Sequence, residues 1–306
     1  MDSLQPSERA RTLVQGGYDL HVHVAPDVLP RKTDDLTLAR RCLEVGLKGF
    51  VLKSHYAPTA ERAAVVRKAV PGVNALGAIV LNRAVGGLNP VAVEVAARAG
   101  ARFVWLPTVD TANEARHLEA LPPEKRPQWA RLQEEFRRLG LDPRPVEVLD
   151  ERGRPLPELW AVLKTVAQHG LVLATGHLAR EEIFPVVEAA LEAGVRFLVI
   201  THPDYPTQDL PLREQKELAR LGAFLERCFV PSHTGKVLWE RVFRAIEATG
   251  PERNVLSTDL GQPQNPPVED GLALFADRLL EAGFGEEAVR RMAVENTALL
   301  AEGGKG

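Results

Sequence analysis

Sulfur is scarce in this chain, with two cysteines and two methionines among 306 residues. Cys42 and Cys228 lie far apart and match no zinc or redox spacing, which argues against a disulfide scaffold, a cysteine-rich zinc site or a dithiol redox centre. Both read as buried thiols in a reducing compartment. No stretch reaches the roughly 18 apolar residues of a membrane span, and residues 1–17 are polar and carry Arg9 and Arg11. The expectation is a soluble, cytoplasmic protein with no membrane partner. A basic block is missing too: 38 Lys and Arg are interspersed with 41 Asp and Glu for a net charge of −3, so nucleic acid is not an expected partner. No glycine-rich strand-to-helix phosphate motif occurs, and no Ser-His-Asp or Cys-His pattern stands out, which disfavours dinucleotide chemistry and covalent catalysis.

Short apolar runs rich in Val, Ile, Leu and Phe are plentiful, and each is followed by a longer segment with helical spacing of apolar residues. The strand candidates are residues 18–24, 49–55, 73–81, 102–108, 171–177, 196–202, 223–229 and 254–259, eight in all. Alternating strands and helices are the signature of a parallel sheet, and eight repeats predict an α/β fold of the (β/α)8 TIM-barrel type, one domain over residues 1–306. Successive strands end about 25 to 32 residues apart, one βα unit each, except between the fourth and fifth, where the gap roughly doubles. The excess localises an insertion at about residues 121–156, with a charged helix over 129–138 and a hairpin near 150–153. Following a strand's C-terminal end, it is expected over the catalytic face as a lid, an oligomer contact or a plain surface excursion.

The first strand reads Tyr18-Asp19-Leu20-His21-Val22-His23-Val24, and strict alternation would put Asp19, His21 and His23 on one inward face. An imidazole is costly to bury without a partner, so two adjacent inward histidines point to a metal. Other strand candidates also stop on ligand-capable residues: the fifth on His177, the sixth on His202 and the eighth on Asp259. Of the eight histidines only His117 and His169 fall within expected helices.

His21-x-His23, His177, His202 and Asp259, in that order on strands one, five, six and eight, resemble the metal site of the amidohydrolase superfamily across essentially the whole barrel. Segments 82–90, 104–108 and 174–178 are similar to a bacterial and archaeal branch of it that supplies a fold and a metal but no substrate. The resemblance implies that His21, His23 and Asp259 bind one divalent metal, with His177 and His202 completing that site or holding a second ion. Zinc is the first choice, with Mn, Fe or Ni as alternatives. Two-metal members usually bridge their ions with a carboxylated lysine or a glutamate, commonly from the fourth strand. This fourth strand ends Trp105-Leu106-Pro107-Thr108, without such a side chain, so one ion is favoured and two stay open.

Val51, Lys53 and His55 share the inward face of strand two. Lys53 reads as a cation for an anionic substrate group or a ligand carboxylate, with a carbamylated bridge as the less usual option. His55 is a further ligand, a proton-transfer group or a histidine that supports the ligands. Asn82 and Arg83 lead into the Gly86-Gly87 loop, where a guanidinium could meet a substrate carboxylate. Asp19 is expected to orient a ligand or form an ion pair, Glu226 and His233 flank the end of strand seven, and Trp105 and Tyr205 either pack on a substrate or fill the barrel.

The expected reaction is metal-assisted hydrolysis of an amide, lactone or other carboxylic ester of a small anionic molecule. Asp259 is the proton shuttle, and His202 or His55 polarises the carbonyl. Two alternatives remain: a metal-dependent lyase (decarboxylase or hydratase) on the same site, and a non-catalytic metal- or ligand-binding barrel. A homo-oligomer is compatible with the sequence.

Overall fold

The computed structural model describes residues 4–141 and 144–303. Eight parallel strands form one sheet in sequential order: β1 Tyr18–Val22, β2 Gly49–Leu52, β3 Asn74–Val80, β4 Ala101–Trp105, β5 Val172–Ala174, β6 Phe197–Ile200, β7 Phe224–Cys228 and β8 Asn254–Ser257. The sheet closes where Val22 bridges Leu260 in parallel and the His23 N–H donates to the Leu260 carbonyl at 2.8 Å. Helices stand between successive strands, so the fold is the expected (β/α)8 barrel.

Side chains from all eight strands fill the interior, among them Tyr18, Val51, Ala78, Phe103, Val172, Val199, Phe224 and Val255. The opposite strand faces pack on the helices in two further apolar layers. Seven of the eight observed strands lie inside their predicted segments, β4 begins one residue before its own at Ala101, and each stops earlier than predicted. The residues left over at the C-terminal ends, such as Lys53 to His55 and Thr175 to His177, form the loops that build the site.

β1 departs from strict alternation. Its register against β2 shifts between Asp19 and Val22, so Tyr18 and Leu20 pack inside the barrel whereas Val22 and Val24 pack on the helices. The expectation that Asp19 shares a face with His21 and His23 therefore fails. Asp19 instead accepts from the Thr258 N–H at 3.0 Å and the His21 N–H at 3.2 Å, bracing β1 against β8.

The insertion contains the helix Gln128–Arg138 and a turn at Asp150, whose carboxylate accepts from the Arg152 and Arg154 N–H groups. A single antiparallel bridge, Leu149 to Pro155, stands where a hairpin was expected. The segment docks on the loops after β3 and β4. Gln133 Nε2 donates to Asp110 Oδ1 at 2.6 Å, and the Val146 N–H donates to the Asp110 carbonyl at 2.8 Å.

Candidate metal centre

Five imidazoles form a ring at the C-terminal mouth of the barrel. Successive ring centroids are 4.9 Å apart from His23 to His55, 6.3 Å from His55 to His177, 5.7 Å from His177 to His202, 5.3 Å from His202 to His21 and 5.3 Å from His21 to His23. Asp259 reaches into this ring. Its Oδ1 is 3.3 Å from His21 Nε2 and 3.2 Å from His23 Nε2, and its Oδ2 is 3.7 Å from His202 Nε2.

The backbone is bent to make this possible. His202 and Asp259 adopt left-handed φ values of 51° and 58°, which non-glycine residues rarely take and which recur at functional sites. The close approach of β1 and β8 needs Gly261, because a Cβ there would stand 1.6 Å from the His23 carbonyl oxygen.

Buried carboxylates lie beside Nδ1 of two of the rings. Glu226 Oε1 lies 3.2 Å from His21 Nδ1, and Glu114 Oε1 lies 2.9 Å from His177 Nδ1. The Glu226 hydrogen bond fixes the His21 proton on Nδ1 and leaves its Nε2 lone pair for a metal, whereas His177 Nδ1 makes no hydrogen bond despite its closeness to Glu114. Burial lowers the pKa of His21, His23 and His55 well below the ordinary imidazole value and that of His202 to about 3, so these rings are neutral near pH 7. For Asp259 burial works upward, but His21, His202 and Lys53 outweigh it and hold the carboxyl below its usual range. Buried Glu226 is pushed up, and Asp19 is raised to about 7.

These residues suit a divalent ion. His21, His23 and Asp259 each offer a ligand atom, all within 4.8 Å of one another, a mixed N/O set of the kind that zinc and similar ions accept. His23 Nδ1, His177 Nδ1 and His202 Nδ1 are buried polar atoms with no hydrogen-bond partner. A second grouping, His21, His202 and Cys228, meets the same distance limit. It is the poorer cradle, because burial holds the Cys228 thiol protonated and every member is sealed, whereas the Asp259 side chain keeps 19% of its exposure.

Other expected site residues are placed differently. Lys53 Nζ lies inside the cluster, 2.9 Å from His21 Nε2 and 5.2 Å from the Trp105 ring centroid. An ammonium there occupies the lone pair that a metal on His21 would need. Arg83 is spent elsewhere: its Nε and Nη2 donate to the carbonyls of Arg144 and Pro145 in the insertion at 2.8 and 2.7 Å. Asn82, expected as a substrate contact, is buried and saturated between the loops after β2, β3 and β4. Trp105 is barrel filling, stacked on Phe103 at 5.2 Å. Tyr205 stands 5.8 Å from the His202 ring, whereas His233 stacks on Phe229.

Sequence reasoning missed Glu114, Thr108 and Arg31. Glu114 sits three residues after the N-cap Thr111, the ordinary spacing of a capping box, but its carboxylate goes to His177. Arg31, on the loop after β1, pairs with Asp27 at 2.6 Å and lies near enough for its charge to add to the burial that depresses His23.

Among solved structures, the barrel is similar to an amidohydrolase from Pseudomonas aeruginosa (TM-score 0.63, 14% identity, covering 98% of each chain). It is similar to a probable dipeptidase from the same organism (TM-score 0.62, 11% identity, 96% of this chain and 97% of that one). It is also similar to a putative 2-pyrone-4,6-dicarboxylic acid hydrolase from Pseudomonas putida (TM-score 0.56, 15% identity, 95% and 99%). At such identities the likeness shows the fold. No curated protein matches the sequence. A family model described as a family of unknown function (DUF6282) matches residues 16–226, from the approach to β1 through Glu226, and the chain belongs to that family.

Proposed function

We propose that the protein is a metal-dependent hydrolase of the amidohydrolase type, acting on an amide, lactone or other carboxylic ester of a small anionic molecule. The observation that carries this reading is the convergence of His21 Nε2 and His23 Nε2 on one oxygen of Asp259, at 3.3 and 3.2 Å. His177 and His202 stand beside this set, as additional ligands or as holders of a second ion. A divalent ion, with zinc first in order, would supply a Lewis acid and lower the pKa of a water molecule toward neutrality.

The chain's own residues supply the rest. Asp259, ionised at neutral pH and partly open to solvent, accepts the proton of the attacking water and returns it to the leaving group. His202 and His55 face the same space and polarise the substrate carbonyl. Lys53 is the cation nearest the ring, and it takes an anionic group of the substrate once it leaves His21. The similar P. putida protein is a putative hydrolase of a 2-pyrone dicarboxylic acid, and a 2-pyrone is a lactone, which makes carboxylated lactones the first class to test. The test is elemental analysis of the purified protein together with a panel of lactones, esters and amides, with and without a second carboxylate. Tight metal with no turnover on any of them would favour a binding barrel, and no metal would end the reading.

A further inference from the structure

Among the described residues, His55 is the one imidazole of the ring whose polar neighbour is a hydroxyl; the other four face carboxylates. His55 Nδ1 lies 2.8 Å from Thr108 Oγ1, and Thr108 is fully buried. Which of the two donates decides what His55 can do.

Asn82 settles the direction. Its Oδ1 accepts from the N–H groups of Thr108 at 2.8 Å and Asp110 at 3.4 Å, so the amide oxygen and nitrogen cannot be exchanged. Its Nδ2 then donates to Thr108 Oγ1 at 2.8 Å and to the His55 carbonyl at 2.9 Å. Thr108 Oγ1 therefore already accepts a hydrogen, and among the described residues His55 Nδ1 is the acceptor within reach of its own. Were His55 the donor, the hydroxyl hydrogen would be buried without a partner.

We propose that Thr108, oriented by Asn82, holds His55 as a neutral imidazole with its proton on Nε2, so that His55 serves the site as a hydrogen-bond donor to a substrate oxygen and not as a metal ligand. The Nδ1 lone pair is occupied by Thr108, and the Nε2 position by a proton. Nε2 makes no hydrogen bond to the described residues, so it is left for the oxygen on which negative charge develops. The ring's place between His23 and His177, at 4.9 and 6.3 Å, puts that donor beside the metal donors. The role toward substrate rests on the metal-hydrolase reading, whereas the position of the proton does not.

Long-range proton–nitrogen spectra of the histidines, recorded on nitrogen-15-labelled protein with and without zinc, test the proposal. His55 is assigned by the signals lost in His55→Gln. The expected result is a protonated Nε2 and a bare Nδ1 in both states, kept in Thr108→Ser and shifted in Thr108→Val. His55→Gln should bind as many zinc equivalents as the wild type. Acetohydroxamate binding to the zinc-loaded protein should weaken on the order of threefold to tenfold in His55→Leu, and less in His55→Gln, whose amide still donates. A His55 Nε2 without a proton in the zinc-loaded protein, or a zinc equivalent lost in His55→Gln, would make His55 a ligand and overturn the proposal. Unchanged acetohydroxamate binding in His55→Leu would overturn the donor role. If the wild type takes up no zinc, the metal reading fails while the same spectrum still decides where the proton lies.

Discussion

Asp259 has neighbours on both carboxylate oxygens, and its two tasks can be separated by one substitution. Asp259→Asn keeps the size and one ligating oxygen but cannot accept a proton, so zinc should remain while turnover on an accepted substrate falls by roughly 10²- to 10⁴-fold. Rate and metal content measured on one sample check this, and near wild-type turnover with zinc retained would reduce Asp259 to a ligand. Glu226 acts one step away, through its hydrogen bond to His21 Nδ1, and Glu114 lies 2.9 Å from His177 Nδ1 without one. Glu226→Gln should weaken zinc binding by about 10- to 100-fold in a chelator competition, with Glu114→Gln smaller or equal, because His177 belongs to the outer part of the set. At this scale the sequence was informative about His21, His23, His55, His177, His202 and Asp259, since polar residues ending apolar runs are visible without a fold. It was silent on Glu114 and Thr108, which reach their histidines across the barrel, at separations of 63 and 53 residues (177 − 114 and 108 − 55). It also misjudged Arg83, because nothing in the local pattern shows that the insertion's carbonyls take its guanidinium.

Strands and helices were legible because their apolar periods differ: all eight strands overlap their predicted segments, and only β4 starts outside its own, by one residue at Ala101. The irregularity in β1 was not, since a shift of register leaves no mark in a pattern of alternating residues. The junction of β1 and β8 depends on Gly261 at φ 135°. Gly261→Ala would press a methyl into the His23 carbonyl and should cost about 3 kcal/mol or more, lowering the melting temperature by roughly 10 °C. An unchanged melting curve would contradict this account of barrel closure. For the insertion, Arg83→Met removes two ties to its backbone and should speed limited proteolysis within residues 121–156. Zinc content should stay the same, whereas a loss of zinc would restore Arg83 to the site.

The whole molecule carries a cluster of neutral histidines, and its response to acid follows from them. Burial lowers His21, His23, His55 and His202 in the folded chain, whereas the unfolded chain protonates its histidines near pH 6.5. Between about pH 6.5 and the lowered folded values the unfolded state binds more protons, so the metal-free protein should lose stability as pH falls through this window. Asp19, raised to about 7, and Glu226, also raised, act in the opposite sense, because their folded forms hold protons that the unfolded carboxylates release. Four histidines against two carboxylates leave a net loss of stability over this interval, to be read from denaturant unfolding at pH 6.5 and 5.5. A flat or rising stability over that interval would mean that the rings are charged or solvated in the folded state. The central claim, that these residues exist to hold a metal, is tested most directly by anomalous diffraction from crystals of protein purified without chelator. The expected result is one strong peak about 2.0–2.3 Å from His21 Nε2, His23 Nε2 and an Asp259 oxygen, with Lys53 Nζ displaced from His21. An imidazole ring still closed on Asp259 and Lys53, with no anomalous peak after soaking in zinc, would contradict it.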